Sequence, residues 1–166
     1  MSKSLLHTTI ERSKLMSKIK GRNTKAELAL RKELWKLGFR YRANVRKLKG
    51  TPDIIFRKQK VVVFVDGEFW HGYNWEHKKL LIKSNREFWI RKIERNMERD
   101  METNIHYLTS GYTVLRFWEF EIKKDLIGCV LKIIEALADK KLVAREEALN
   151  KKSHSKTLQG FYDIII

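Results

Sequence analysis

The run Val61-Val62-Val63-Phe64-Val65-Asp66-Gly67-Glu68-Phe69-Trp70-His71-Gly72 constrains this chain more than any other segment. Its first five residues are apolar and four are β-branched, the composition of a strand buried on both faces. The strand stops at Asp66-Gly67, and Asp66 to His71 then holds two carboxylates, an imidazole and two large aromatics. Such charges at the end of a buried strand are costly to hold together unless they serve a site. Just upstream, Thr51-Pro52-Asp53-Ile54-Ile55-Phe56 reads as a second short strand that opens with a carboxylate. Neighbouring strands with acids at adjacent ends make a pocket for a hard divalent cation such as Mg²⁺.

The 166 residues suit one domain. No apolar stretch is long enough for a membrane span, and the polar N-terminus lacks the apolar core of an export signal. A single cysteine, Cys129, rules out an internal disulfide framework or a multi-cysteine zinc site, and its expected role is to fill space in an apolar helix. The expectation is a reduced, cytoplasmic protein. The net charge of +16 is unevenly placed: residues 1–60 hold 18 Lys+Arg and 4 Asp+Glu, whereas 61–166 hold 18 and 16. With a pI near 10.0, a basic block of this kind favours nucleic acid as the partner, bound with a steep salt dependence.

Residues 1–23 carry many cations and little apolar period, which reads as a basic arm. Thr24 and Glu27 have the spacing of a capping box, and Leu30, Leu34 and Leu37 continue a helical stripe to Gly38. Phe39 to Arg42 alternates apolar and basic, as a half-exposed strand does, before a basic loop to Gly50. The strands at 53–57 and 60–66 follow, then an irregular segment from Gly72 to Ser84. Asn85 can cap a long helix with the stripe Phe88/Trp89, Ile93, Met97, Met101, Ile105 and Leu108, closed by Gly111. Tyr112 to Trp118 reads as another buried strand, and Leu126, Val130, Ile133/Ile134 and Leu137 as a last amphipathic helix. The order is α-β-β-β-α-β-α, an α/β sandwich with a mixed central sheet. Three segments result: the arm 1–23, a catalytic domain 24–138, and an extension 139–166 of unknown role. The apolar end Phe161 to Ile166 either docks as an edge strand or contacts another subunit.

Asp53 on its own is a turn aspartate, but beside the Asp66 strand end it becomes a metal carboxylate candidate. His71 is the candidate base, since imidazole titrates near neutrality and the surrounding acids set it apart from a structural histidine. Glu27 is accounted for locally by its capping-box spacing. Phe69 and Trp70, being adjacent, are expected to point in different directions, so that one of them is free of the core. Together with Trp89 they are candidate wedges that unstack a base step.

Several motifs in order resemble the very short patch repair (Vsr) endonucleases. They are Pro52-Asp53, Val63 to Gly72, Asn85 to Asp100 and Gly111 to Glu119, together with Arg12 to Ile19 in the arm and the Thr24-to-Glu27 helix start. The similarity spans about 11–138. It implies a restriction-endonuclease-like core of the PD-(D/E)xK type and a Mg²⁺-dependent nick, with one or two ions, in one strand of double-stranded DNA. The implied nick lies 5′ of the thymine of a T·G mismatch, within the nucleoid. Position by position, Asp53 corresponds to the essential metal carboxylate and the Val65 carbonyl to a second metal ligand. His71 corresponds to the water-activating base and Glu27 to a glutamate near the metal waters. Asp66 falls where some members have a phosphate-contacting histidine. Phe69, Trp70 and Trp89 match aromatics that enter the stack, Asn96 and Arg99 lie on the helix facing DNA, and Met16 approaches from the minor groove.

Members with a structural zinc bind it through cysteines and a histidine at positions that here are Glu68, Tyr73, Trp75 and Phe120, which cannot form a thiolate-rich site. No structural zinc is expected. Aromatic packing is expected to brace the loop instead, leaving Glu68 free as a further acid ligand. The lysine that related nuclease folds carry two residues after the second acid is also missing, because Trp70 stands there, so His71 must serve in its place. Two rival readings share these residues: a restriction-type nuclease on the same core, and a DNA-binding module without turnover.

Overall fold

The apolar run becomes the middle strand of the sheet. In the computed structural model, which describes residues 21–140, β1 (Ile54–Phe56) and β3 (Thr113–Trp118) flank β2 (Val61–Asp66). β1 pairs antiparallel with β2 (Ile54 opposite Val63), and β3 pairs parallel with it (Phe64 opposite Arg116). The mixed sheet follows from this connectivity. A tight turn joins β1 to β2, whereas the long helix α3 (Arg86–Thr109) carries the chain back to start β3 at the same end as β2. Met16 and the rest of the arm up to residue 20, and the tail from 141 with its apolar end, lie outside the described residues.

β2 is covered on both sides. Val61 and Val63 pack with Ile54, Phe56 and Phe117 against α1 (Lys25–Lys36) and a helix over 126–140, here α5. Val62 and Phe64 face the other way, onto Tyr107 of α3. Cys129 is buried within α5 beside Val130 and Ile133, a space-filling position. The capping box forms as its spacing implies: Thr24 Oγ1 accepts from the Glu27 N–H at 3.3 Å, and the Glu27 carboxylate accepts from the Thr24 N–H at 3.3 Å.

Three expectations are corrected. The strand at Phe39 to Arg42 shrinks to one bridge, Arg42 to Ile55, so the described order is helix, two strands, helices, strand, helices. The alternation there was real but serves side chains: Phe39 and Tyr41 pack edge-on against Phe56 at 6.5 and 5.9 Å. The segment after Gly72 is less irregular than expected, since it holds the short helix α2 (Trp75–Lys78) and a 3₁₀ turn, Lys79–Leu81. Asn85 stands at the N-cap of α3 but in a left-handed conformation without a side-chain cap bond.

The apolar stripe of α3 holds at Ile93, which is buried, but not beyond it. Met101, Ile105 and Leu108 are exposed, while Thr103 and Tyr107 take the inward face. Leu37, likewise, is the exposed C-cap of α1 and not part of its buried stripe. α3 turns polar residues inward because this face closes a cleft.

Candidate functional site

A cleft of about 910 Å³ opens where β1 and β2 end and α3 crosses them. Its walls include Glu27, Asp53, Asp66, Trp70, His71, Asp100 and Arg116. The loop that delivers Asp53 is tightly held. Gly50 has φ +70, and a Cβ there would collide with Thr103 of α3. Thr51 also sits in the left-handed region at φ 48, rare for a β-branched residue. Tyr107 Oη donates to the Lys49 carbonyl at 2.9 Å, pinning the loop to α3. Pro52 then starts the turn into β1.

Asp53 Oδ2 accepts the Val65 N–H at 2.8 Å, so the carboxylate spans the ends of β1 and β2. Its other oxygen lies 3.7 Å from Arg31 Nη2. Arg31 is itself buried and bonds Glu27 Oε2 at 2.7 Å. Burial pushes the Asp53 carboxyl up to about 7; the Val65 N–H and Arg31 pull down against it, and the nearby Glu27 charge pushes further up. A carboxylate in this position is short of positive charge. Glu27 therefore does two things at once, capping α1 and standing beside Asp53.

Asp66 is placed differently from Asp53. Arg116 grips both of its oxygens, Nε to Oδ2 at 2.6 Å and Nη2 to Oδ1 at 2.8 Å. His71 Nδ1 donates to Asp100 Oδ2 at 2.6 Å and lies 3.5 Å from Asp66 Oδ1. Burial works against a charged imidazole, but the Asp100 hydrogen bond and the charges of Asp66 and Asp100 outweigh it, leaving the His71 pKa above its ordinary 6.5. Burial likewise works against the Asp100 charge, and the His71 and Arg116 contacts overcome it to leave that carboxyl below its usual range. With Nδ1 engaged, Nε2 has no hydrogen-bond partner among the described residues.

Asp53, Asp66 and His71 thus share one cleft, but the acids divide between two networks and do not form a joint cage. Among the described residues no set of three or more His, Cys, Asp or Glu side chains is placed to hold a metal by itself. Glu68 is not among the walls of the cleft. Asp100 and Arg116 were not among the residues singled out from sequence. Arg116 carried a signal, a lone cation inside Val114-Leu115-Arg116-Phe117-Trp118; Asp100, in a helix full of charges, carried none.

The aromatics converge instead of diverging. Phe69 and Trp70 lie in a turn, where the Gly67 carbonyl accepts the His71 N–H at 3.2 Å, so strand alternation does not apply. Phe69, Trp70 and Trp89 meet edge-on, with centroids 5.3 to 5.8 Å apart, at the rim of the cleft. Phe69 remains 41% exposed, and Lys92 lies over Trp70 at 5.7 Å. Asn96 turns inward and donates to the Trp70 carbonyl at 3.0 Å, while Arg99 lies on the outer face of α3 among alternating charges.

Aromatic side chains brace the loop behind this rim. Tyr73 meets Trp118 and Phe120 at 5.1 and 4.9 Å, and buried Trp75 donates through Nε1 to Glu94 at 3.3 Å. Tyr73→Ala is expected to lower stability by about 1–2 kcal/mol, read from urea unfolding. No change would mean that the loop is held by something else.

Residues 5–77 match the family model described as DNA mismatch endonuclease Vsr. The chain is 48% identical over 144 residues to the type II nicking enzyme V.NmeDIP of Neisseria meningitidis serogroup C, covering 87% of this chain and 97% of that one. It is 44% identical over 134 residues to the type II nicking enzyme V.HpaIIP of Haemophilus parainfluenzae, covering 80% and 95%. It is also 33% identical over 145 residues to the DNA mismatch endonuclease Vsr of Escherichia coli K12, covering 86% and 85%. Coverage of nearly whole chains, with the cleft inside the aligned length, leads to one conclusion: this chain belongs to the Vsr family and is a DNA endonuclease.

Proposed function

We propose that the chain nicks one strand of double-stranded DNA at T·G mismatches, as in very short patch repair, with Asp53 as metal carboxylate and His71 as general base. The observation that carries this reading is the pairing of a charge-starved carboxylate with an oriented imidazole in one cleft. Asp53 is half-buried and proton-hungry, and His71 is fixed through Nδ1 by Asp100. The donor set fits Mg²⁺ better than a cation that needs an all-protein cage, because Mg²⁺ keeps most of its waters and takes one or two carboxylates. Asp53 and the Val65 carbonyl would hold it, with Glu27 beside its waters. When bound, such an ion stabilises negative charge on the phosphate and lowers the pKa of water.

The protein's own part follows from the geometry. His71 Nε2 takes the proton of the attacking water, and Asp100 holds the resulting imidazolium through Nδ1. Arg22, Arg46 and Lys92 on the cleft walls neutralise backbone phosphates. Arg99, with Arg91 and Arg95 on the outer face of α3, extends that contact beyond the cleft. Asn96 positions the Trp70 backbone, and Phe69, Trp70 and Trp89 offer apolar faces for an unstacked step. Residues 1–23 act as a DNA-contacting arm that includes Met16, and Tyr73, Trp75 and Phe120 stand where other members bind zinc.

The test is a strand-labelled duplex carrying T·G or T·A, incubated with Mg²⁺ or with EDTA. Nicking of the thymine strand of the T·G duplex alone, and only with Mg²⁺, is the expected result. Cutting of matched DNA would favour the restriction-type reading, and retarded mobility without cleavage the binding-module reading. Trp70→Ala is expected to reduce the T·G over T·A preference about tenfold, in line with about 1–3 kcal/mol for one aromatic–base stack. Equal losses on both duplexes would count against a wedge.

A further inference from the structure

Arg116 is a cation in the wall of a nuclease cleft, yet its fork is already filled. Nε and Nη2 hold both oxygens of Asp66, Nη2 also reaches Asp100 Oδ1 at 2.8 Å, and Nη1 donates to Asn104 Oδ1 at 3.1 Å. The guanidinium is packed over the Phe64 ring at 4.9 Å and its side chain is 20% exposed. Four of its five N–H donors are thus engaged, and the Nε/Nη2 edge that would grip a phosphate in two-pronged fashion is taken by carboxylates. Asp100, in turn, has one oxygen on Arg116 and the other on His71 Nδ1. It cannot rotate without breaking one of these bonds.

We propose that Arg116 is a positioning residue for the base: it clamps Asp66 and Asp100 side by side, so that Asp100 holds the Nδ1 proton of His71 and leaves Nε2 for the water. The proposal rests on the reading of His71 as general base. Its physical content is twofold. The fork fixes the carboxylate plane, which a single ammonium cannot do. Its charge offsets two carboxylates that would otherwise keep the imidazole protonated where it must be neutral. The other charged groups lining the cleft are Arg22, Glu27 and Arg46, Asp53 just before β1, Lys92 from α3, and Glu119 at the start of the short helix α4 (Glu119–Lys124). Arg116 is the cation that bonds both of the acids nearest the imidazole.

Two readouts test this in Arg116→Met and Arg116→Lys: single-turnover nicking against pH, and NMR titration of the His71 ring in the metal-free protein. Arg116→Met is expected to move the ring titration and the acid limb of nicking upward together by on the order of one pH unit. At a pH on that limb the rate falls about tenfold. Arg116→Lys keeps the charge and loses the fork, so the limb stays near its original place while the plateau drops. If Arg116→Met does not fold, the neutral Arg116→Gln takes its place with the same expected shift. A His71 ring that titrates unchanged in the folded neutral variant, with rates scaled equally at every pH, overturns the clamp. A ring shift without a shift of the acid limb overturns the base assignment and leaves the clamp standing.

Discussion

Asp53→Asn is expected to leave no measurable nicking, a loss of at least about 10³-fold or 4 kcal/mol of transition-state stabilisation. DNA affinity should hold or improve, because a negative charge facing a polyanion is removed. The same substitution should make the metal-free protein more stable at high pH. The folded carboxyl holds its proton up to about 7, against an ordinary 3.8. Between these values the unfolded chain is the more ionised state, so stability falls as pH rises through that window. Asn removes this penalty: a gain on the order of 2–3 kcal/mol is expected at pH 8 and almost none at pH 4. Chemical denaturation at both pH values checks it. An equal change at both would mean that Asp53 is not held short of positive charge, and normal cutting by the variant would remove it from the centre.

Asp100→Asn is the second large effect. The His71 pKa lies above 6.5, so a neutral base requires alkaline conditions and nicking should climb with pH beyond that value. Removing the Asp100 charge lets the imidazole lose its proton at lower pH, which moves the acid limb down. The plateau should fall by about 10²–10⁴-fold, because the ring loses the partner that selects its tautomer and orientation. Stability carries the matching signature. The raised His71 pKa stabilises the fold below about 6.5 and that contribution fades as pH rises. The lowered Asp100 pKa stabilises above about 4 and fades as pH falls. Their pair therefore contributes most between these limits, and Asp100→Asn should flatten the profile there. A variant with the wild-type limb and plateau would show that Asp100 does not act on the base.

How much of this was legible in the sequence depends on how local each signal was. The middle strand and the Thr24–Glu27 cap are written in consecutive residues, and both form. The pocket at the strand ends was inferred from Asp53 and Asp66 standing at adjacent ends, and both line it. What escaped was long-range. Asp100 meets His71 across 29 positions and Arg116 meets Asp66 across 50, and periodicity does not reveal such pairings. The stripe of α3 misled for a related reason. Beyond Ile93 its inward face carries Asp100 and Thr103 to line a cleft, so from Met101 on the apolar pattern marked the wrong side. Strand alternation does not reach Phe69 and Trp70, because the chain has already turned there.

The most direct measurement is the anomalous signal of Mn²⁺ in crystals of the protein with a T·G duplex. A peak bonded to the Asp53 carboxylate, with the scissile phosphate between it and His71, is the result this account predicts. A peak that leaves Asp53 unengaged, or a duplex lying on a face away from the cleft, would contradict it.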